Sequence, residues 1–173
     1  MELLTVIKKP LSICLFILTG LATSAQIKSV DNIESRKFFF EVHHTMLLDE
    51  NADSVCNEYS TITIHVRNNK ILDSVDFTGN PKAIKIAFIR ALPLYKKANW
   101  KKIIRNSGAN FDILQPFSYH YYPNIIANCP DPLPANQIKE MMDADIRSRK
   151  SKKIPTYLLE LLNVRLYAPV SKK

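Results

Sequence analysis

Apolar and polar positions alternate most regularly in Thr61-Ile62-Thr63-Ile64-His65-Val66, a β-branched run with a period of two that predicts a half-buried strand. Arg67-Asn68-Asn69-Lys70 follows, and asparagine is a residue that tolerates the positive φ of a tight turn. Ile71 to Phe77 then reads as the returning strand of a β-hairpin. After Gly79, Asn80 is placed to cap a helix and Pro81 to start it. Ile84, Ala87, Phe88, Ala91, Leu92 and Tyr95 recur at helical spacing, with Pro93 expected to kink or split the helix, and Trp100 and Ile103 continue the stripe. Residues 111–122 read as another strand, rich in aromatic residues.

The flanks are patterned less sharply. Asp31 and Glu34 have the spacing of a capping box, and Phe38, Phe39, Val42 and Met46 predict an amphipathic helix over 32–48, although Phe38-Phe39-Phe40-Glu41-Val42 also fits a strand. Residues 49–58 are acidic and polar and read as a loop. Pro123, Pro130, Pro132 and Pro134 stiffen a connection, and Ile138, Met141, Met142 and Ile146 predict a helix from Ala135 to Lys150. Residues 157–162 are apolar enough for a buried element, and 164–167 fit a closing strand. The fold class expected is α+β, with a hairpin–helix–strand core and flanking helices, including a helical extension over 135–173.

The N-terminus changes the picture of where this domain works. Lys8 and Lys9 precede an apolar run from Leu11 to Leu21, and Thr23-Ser24-Ala25 supplies small residues for cleavage, so residues 1–25 read as a signal peptide. The run is about half the roughly 20 residues a spanning helix needs, which disfavours the alternative of an uncleaved anchor. Cys14 lies inside the run and lacks a small residue before it, so it does not read as a lipid-attachment site. Residues 26–173 are then one periplasmic or secreted domain, with 46% hydrophobic and 23% charged residues over the whole chain, ordinary globular usage.

Cys56 and Cys129 remain after cleavage. In an oxidising compartment they either form a disulfide, stabilising by about 4 kcal/mol through the long loop it closes, or stay as buried thiols. Neither sits in a CxxC pattern. The formal net charge of +8 favours anionic partners such as lipid headgroups, polysaccharides or nucleic acid, and the extracytoplasmic address argues against the last.

Residues 60–122 resemble the C-terminal domain of TonB energy transducers. Ile62-Thr63-Ile64-His65-Val66 looks like that family's first strand, and Ile71-Leu72-Asp73-Ser74-Val75 like the segment after its hairpin. Gly79 falls at the family's glycine. Ala87-Phe88-Ile89-Arg90-Ala91-Leu92 is similar to its helix, and Trp100 stands at its closing aromatic. Lys102 replaces the proline expected two residues later, and no proline-rich spacer precedes the domain. The resemblance implies the fold, and a domain that adds a peptide strand at an exposed sheet edge.

Candidate chemistry is sparse. His43, His44 and His65 could serve a metal or acid–base site, with Asp49, Glu50 and His120 as further candidates. Adjacent helical histidines diverge by about 100°, however, and no HExxH spacing occurs. No GxSxG, phosphate loop or paired-carboxylate motif points to catalysis, and no cofactor is indicated. Lys96, Lys97, Lys101 and Lys102 form either a solvated helix face or a docking surface for an anionic envelope, and Arg147 to Lys153 hold a second basic cluster. Tyr119 and Tyr121 share one strand face and form the candidate exposed binding stripe. The function expected is a non-enzymatic interaction domain binding a protein or peptide. The alternatives are a small enzyme or metal-binding protein and a basic envelope-binding protein.

Overall fold

A computed structural model describes residues 27–46, 55–106, 108–122, 129–149 and 154–167. The residues expected as a signal peptide lie outside these ranges, as do 49–54 of the expected loop and 123–128 of the proline-marked connection.

The hairpin organises the sheet. Strand β2 (Asn57–Arg67) places Ile62, Ile64 and Val66 on one face, each fully buried, and Thr61, Thr63 and His65 on the other. The chain reverses through Asn68 and Asn69, whose φ values of 51° and 61° are the left-handed pair of a type I′ turn. Strand β3 (Lys70–Phe77) returns antiparallel to β2. Opposite His65 it carries the extra length of Leu72 to Ser74 as a bulge. Strand β4 (Phe111–Tyr122) pairs antiparallel with β2 from Asn57↔His120 to Val66↔Phe111 and forms the centre of the sheet.

The other side of β4 is filled by two parallel strands in succession, β5 (Thr156–Leu158) and β6 (Leu162–Tyr167). Where they break, the Gln115 amide donates to the Glu160 carbonyl at 2.6 Å. Strand β1 (Ile27–Ser29) pairs parallel with β5, giving six strands in the order β1-β5-β4-β2-β3, with β6 continuing the β5 position. The part beyond residue 135 is therefore not a helical extension, because two of its segments join the sheet through long-range pairing.

Helices α1 (Ile33–Thr45), α2 (Ala83–Lys97) and α3 (Trp100–Ile104) cover one face. Helix α2 buries Ala83, Ile84, Ala87, Phe88, Ala91 and Tyr95, so small residues let it approach the sheet while Phe88 and Tyr95 fill the gap. Phe38 meets Tyr95 and Trp100 edge-on at 5.0 and 5.1 Å, which locks α1 onto α2 and α3. Tyr95 is fully buried, its hydroxyl donates to Gln115 Oε1 at 3.0 Å, and burial pushes its pKa up. Helix α4 (Ala135–Arg149) packs on the opposite face, where the Thr61 hydroxyl bonds the Asp145 carboxylate and Ile138 is buried.

Local details depart from the pattern-based expectations for identifiable reasons. Asn32, not Asp31, caps α1, with Ser35 completing the box, because Asp31 is held by Arg36 at 2.9 Å. Helix α2 starts at Ala83, beyond Asn80 and Pro81. Its free N–H groups are met by Glu58 of β2, which accepts from Lys82 and Ile84 at 2.7 and 3.0 Å. Pro93 does not split α2, which runs through it to Lys97. Among the described residues, no helix is long and apolar enough to cross a membrane.

Candidate functional site

Helix α2 buries its small and aromatic positions, so its remaining positions meet water. Residues 79–111 contain no carboxylate and eight cations: Lys82, Lys85, Arg90, Lys96, Lys97, Lys101, Lys102 and Arg105, all exposed. Those eight equal the whole chain's formal net charge of +8, so the rest of the sequence is balanced. The charge excess therefore belongs to one helical layer, and it spans two helices and the turn between them.

At the C-terminal end of that layer is a cleft of about 320 Å³. Lys97, Lys101, Asn69 and Asn99 give it polar walls, while Val66, Ala98, Trp100 and Phe111 supply apolar lining. Backbone and side-chain bonds hold these walls in place. The Trp100 indole N–H donates to the Tyr95 carbonyl at 3.0 Å, and the Asn69 N–H to the Ala109 carbonyl at 2.9 Å. Asn99 caps α3 by accepting from the Lys102 N–H. Neither Lys97 nor Lys101 has an ion-pair partner among the described residues. A second cleft, of about 360 Å³, is lined by Ser29, Val30, Asp31, Arg36 and Glu160. Its cation is already engaged by Asp31, whose carboxyl the hydrogen bond and charge of Arg36 hold below the usual range.

The residues singled out from the sequence separate into distinct places. Lys96, Lys97, Lys101 and Lys102 are exposed together, and the cleft draws on Lys97 and Lys101. Tyr119 and Tyr121 are 2% and 8% exposed and belong to the core with Phe111, Ile113 and Phe117, so they are not an exposed stripe. Their strand face is the one the helices cover, a fact that alternation along one strand does not reveal. Cys56 and Cys129 form a disulfide with Cα atoms 5.3 Å apart. Beside it Asn57 donates to the Pro130 and Asp131 carbonyls, and the Cys56 carbonyl accepts from the Tyr121 N–H.

His43 and His44 lie exposed on α1, on the helical side of the sheet, whereas His65 is on the opposite face. The three histidines do not converge, and among the described residues no group of three His, Cys, Asp or Glu could hold a metal. His65 instead clamps three strands. Its Nδ1 lies 2.9 Å from Asp112 Oδ1 and its Nε2 3.0 Å from Asp76 Oδ2, while Arg67 Nη2 donates to the same Asp112 oxygen at 2.8 Å. Each ring nitrogen of His65 thus faces a carboxylate within the sheet. Asp112 and Asp76 were not foreseen as its partners, because only the strand register brings them there.

The α4 side of the sheet is likewise bonded internally. The Tyr59 hydroxyl meets Thr61 Oγ1 at 2.9 Å, and burial pushes its pKa to about 12. His120 bonds Asn57, and burial, helped by the Arg165 charge, holds its pKa below the ordinary value. These groups bond one another, whereas the lysines of the basic layer are exposed. Comparison with known protein families, characterised proteins and solved structures finds no match to the chain.

Proposed function

We propose that this is a non-enzymatic interaction domain of the periplasm or cell exterior, which docks on acidic polysaccharide through its α2–α3 layer. The observation that carries this is the concentration of the whole charge excess in residues 79–111, with all eight cations exposed and no carboxylate among them. The Debye length at physiological salt is about 8 Å, so a compact cluster attracts a polyanion far better than the same charges dispersed over the surface. The available groups are cations, amides and an apolar floor, which suit binding rather than turnover.

The test is retention on an immobilised acidic polysaccharide, with heparin as the probe. Retention at 50 mM salt, lost on the order of 0.5 M, is expected for wild type, with earlier elution for K96E/K102E. Equal elution of the two proteins would sink the reading.

A second reading is a peptide strand added at the sheet rim, as the resemblance of residues 60–122 to the TonB C-terminal domain implies. It is favoured by the outer side of β3, which pairs with no other described strand. Strand β4 is paired on both sides, and the β3 bulge leaves Val75–Phe77 as the regular stretch where a peptide could join.

A further inference from the structure

We infer that the cleft between the hairpin tip and the α2–α3 junction binds one or two rings of an acidic sugar. This names the recognised unit of the polysaccharide proposed above and rests on that reading.

Each wall excludes a different kind of ligand. Lys97 and Lys101 flank the cleft without an ion-pair partner among the described residues, so an anionic group gains two cations without displacing a carboxylate. Ala98 and the accessible part of Trp100, backed by the buried Val66 and Phe111, offer nothing to a bare sulfate or phosphate but suit the C–H face of a sugar ring. Asn69 has an amide with a carbonyl acceptor and an NH₂ donor, and Asn99, whose Oδ1 caps α3, has its NH₂ donor; both match ring hydroxyls and would be wasted on a fatty acid. At about 320 Å³ the space is at the small end of ligand pockets, which limits the occupant to one or two rings. Hydroxyls, an apolar ring face and one carboxylate or sulfate together describe a uronic acid or a sulfated sugar.

The chain supplies its own reporter, because Trp100, one of the cleft residues, is its single tryptophan. The experiment is a fluorescence titration of the whole mature protein with digalacturonate, against lactose as a neutral disaccharide and inorganic sulfate as a bare anion. A saturable response to digalacturonate, with lactose and sulfate at least tenfold weaker, is expected. K97A/K101A should weaken digalacturonate at least tenfold. K82A/K85A also removes two charges from the basic layer, but Lys85 lies about 18 Å along α2 from Lys97, so affinity should stay within twofold of wild type.

Sulfate binding as tightly as digalacturonate would overturn the sugar, and lactose binding equally would overturn the role of charge. Full affinity in K97A/K101A would place the site elsewhere. No saturable response from a protein that is still retained on heparin would overturn this inference while leaving the docking surface intact. A response without heparin retention would do the reverse.

Discussion

Replacing Cys56 and Cys129 by serine tests how the described chain is held together. The bridge spans a sequence separation of 73 residues, and that loop contains β2, β3, α2, α3 and β4, the whole hairpin–helix–strand core. Its main effect is on the unfolded chain, whose ends it prevents from separating. The chain-entropy relation gives about 4 kcal/mol for a loop of this length. A protein of this size loses roughly 3 °C of melting temperature per kcal/mol, so the double serine variant should melt about 12 °C below wild type. The folded state retains neighbouring ties, including the Asn57 bonds to Pro130 and Asp131, so the variant should fold with an unchanged far-UV circular dichroism spectrum. The assay is thermal unfolding followed by circular dichroism, with reduced wild type as a second arm and intact mass showing the two hydrogens gained on reduction. A melting temperature within 3 °C of wild type in both arms would refute the loop-entropy account.

Two further perturbations probe the interior and its pH dependence. Gln115→Leu should cost about 2 kcal/mol in urea unfolding, because it strands the buried Tyr95 hydroxyl and the Glu160 carbonyl. Tyr95→Phe made on top of it should cost less than it does in wild type, and strictly additive costs would count against the buried bond. His120 has a folded-state pKa below its unfolded value, so its contribution is complete above about pH 6.5 and is lost as pH falls toward the folded value. His120→Gln should therefore flatten part of the stability loss between pH 7 and pH 5, and identical slopes for the two proteins would remove His120 from the account.

How much of this was legible in the sequence depended on the range of the forces involved. The alternation at Thr61–Val66, the Asn68-Asn69 reversal and the strand from Phe111 to Tyr122 are local signals, and each is found where the pattern put it. The helix expected from Ala135 is found over Ala135–Arg149, and Lys150, its expected last residue, lies outside the described residues. What escaped was long-range. The β1 strand has three residues and exists because β5 offers it an edge, and the cap of α2 comes from Glu58, 24 residues upstream of Lys82. Tyr119 and Tyr121 were correctly paired on one face, but which face the helices cover is decided by α1 and α2 together. The exposure of the lysines followed from the helix pattern. The cleft did not, since Asn69 reaches Lys97 and Lys101 only after the hairpin folds against the helices.

Charge is distributed unevenly over the two faces of the sheet. On the α4 side, several charged groups are paired within the structure: Arg67 and His65 meet Asp112, His65 meets Asp76, and Lys139 meets Asp143 at 2.9 Å. On the other side, residues 79–111 gather eight exposed cations and contain no carboxylate of their own. Lys97 and Lys101 even line the same small cleft. Like charges so placed repel one another and weaken the folded state, and a glutamate at Lys85 or Lys102 would relieve that at no cost in packing, since both positions are exposed. Folding alone gives no reason to hold this layer uniformly basic. A concentration of like charge is a stability cost often found at surfaces that meet a partner, and it is the ground for the anionic partner proposed above.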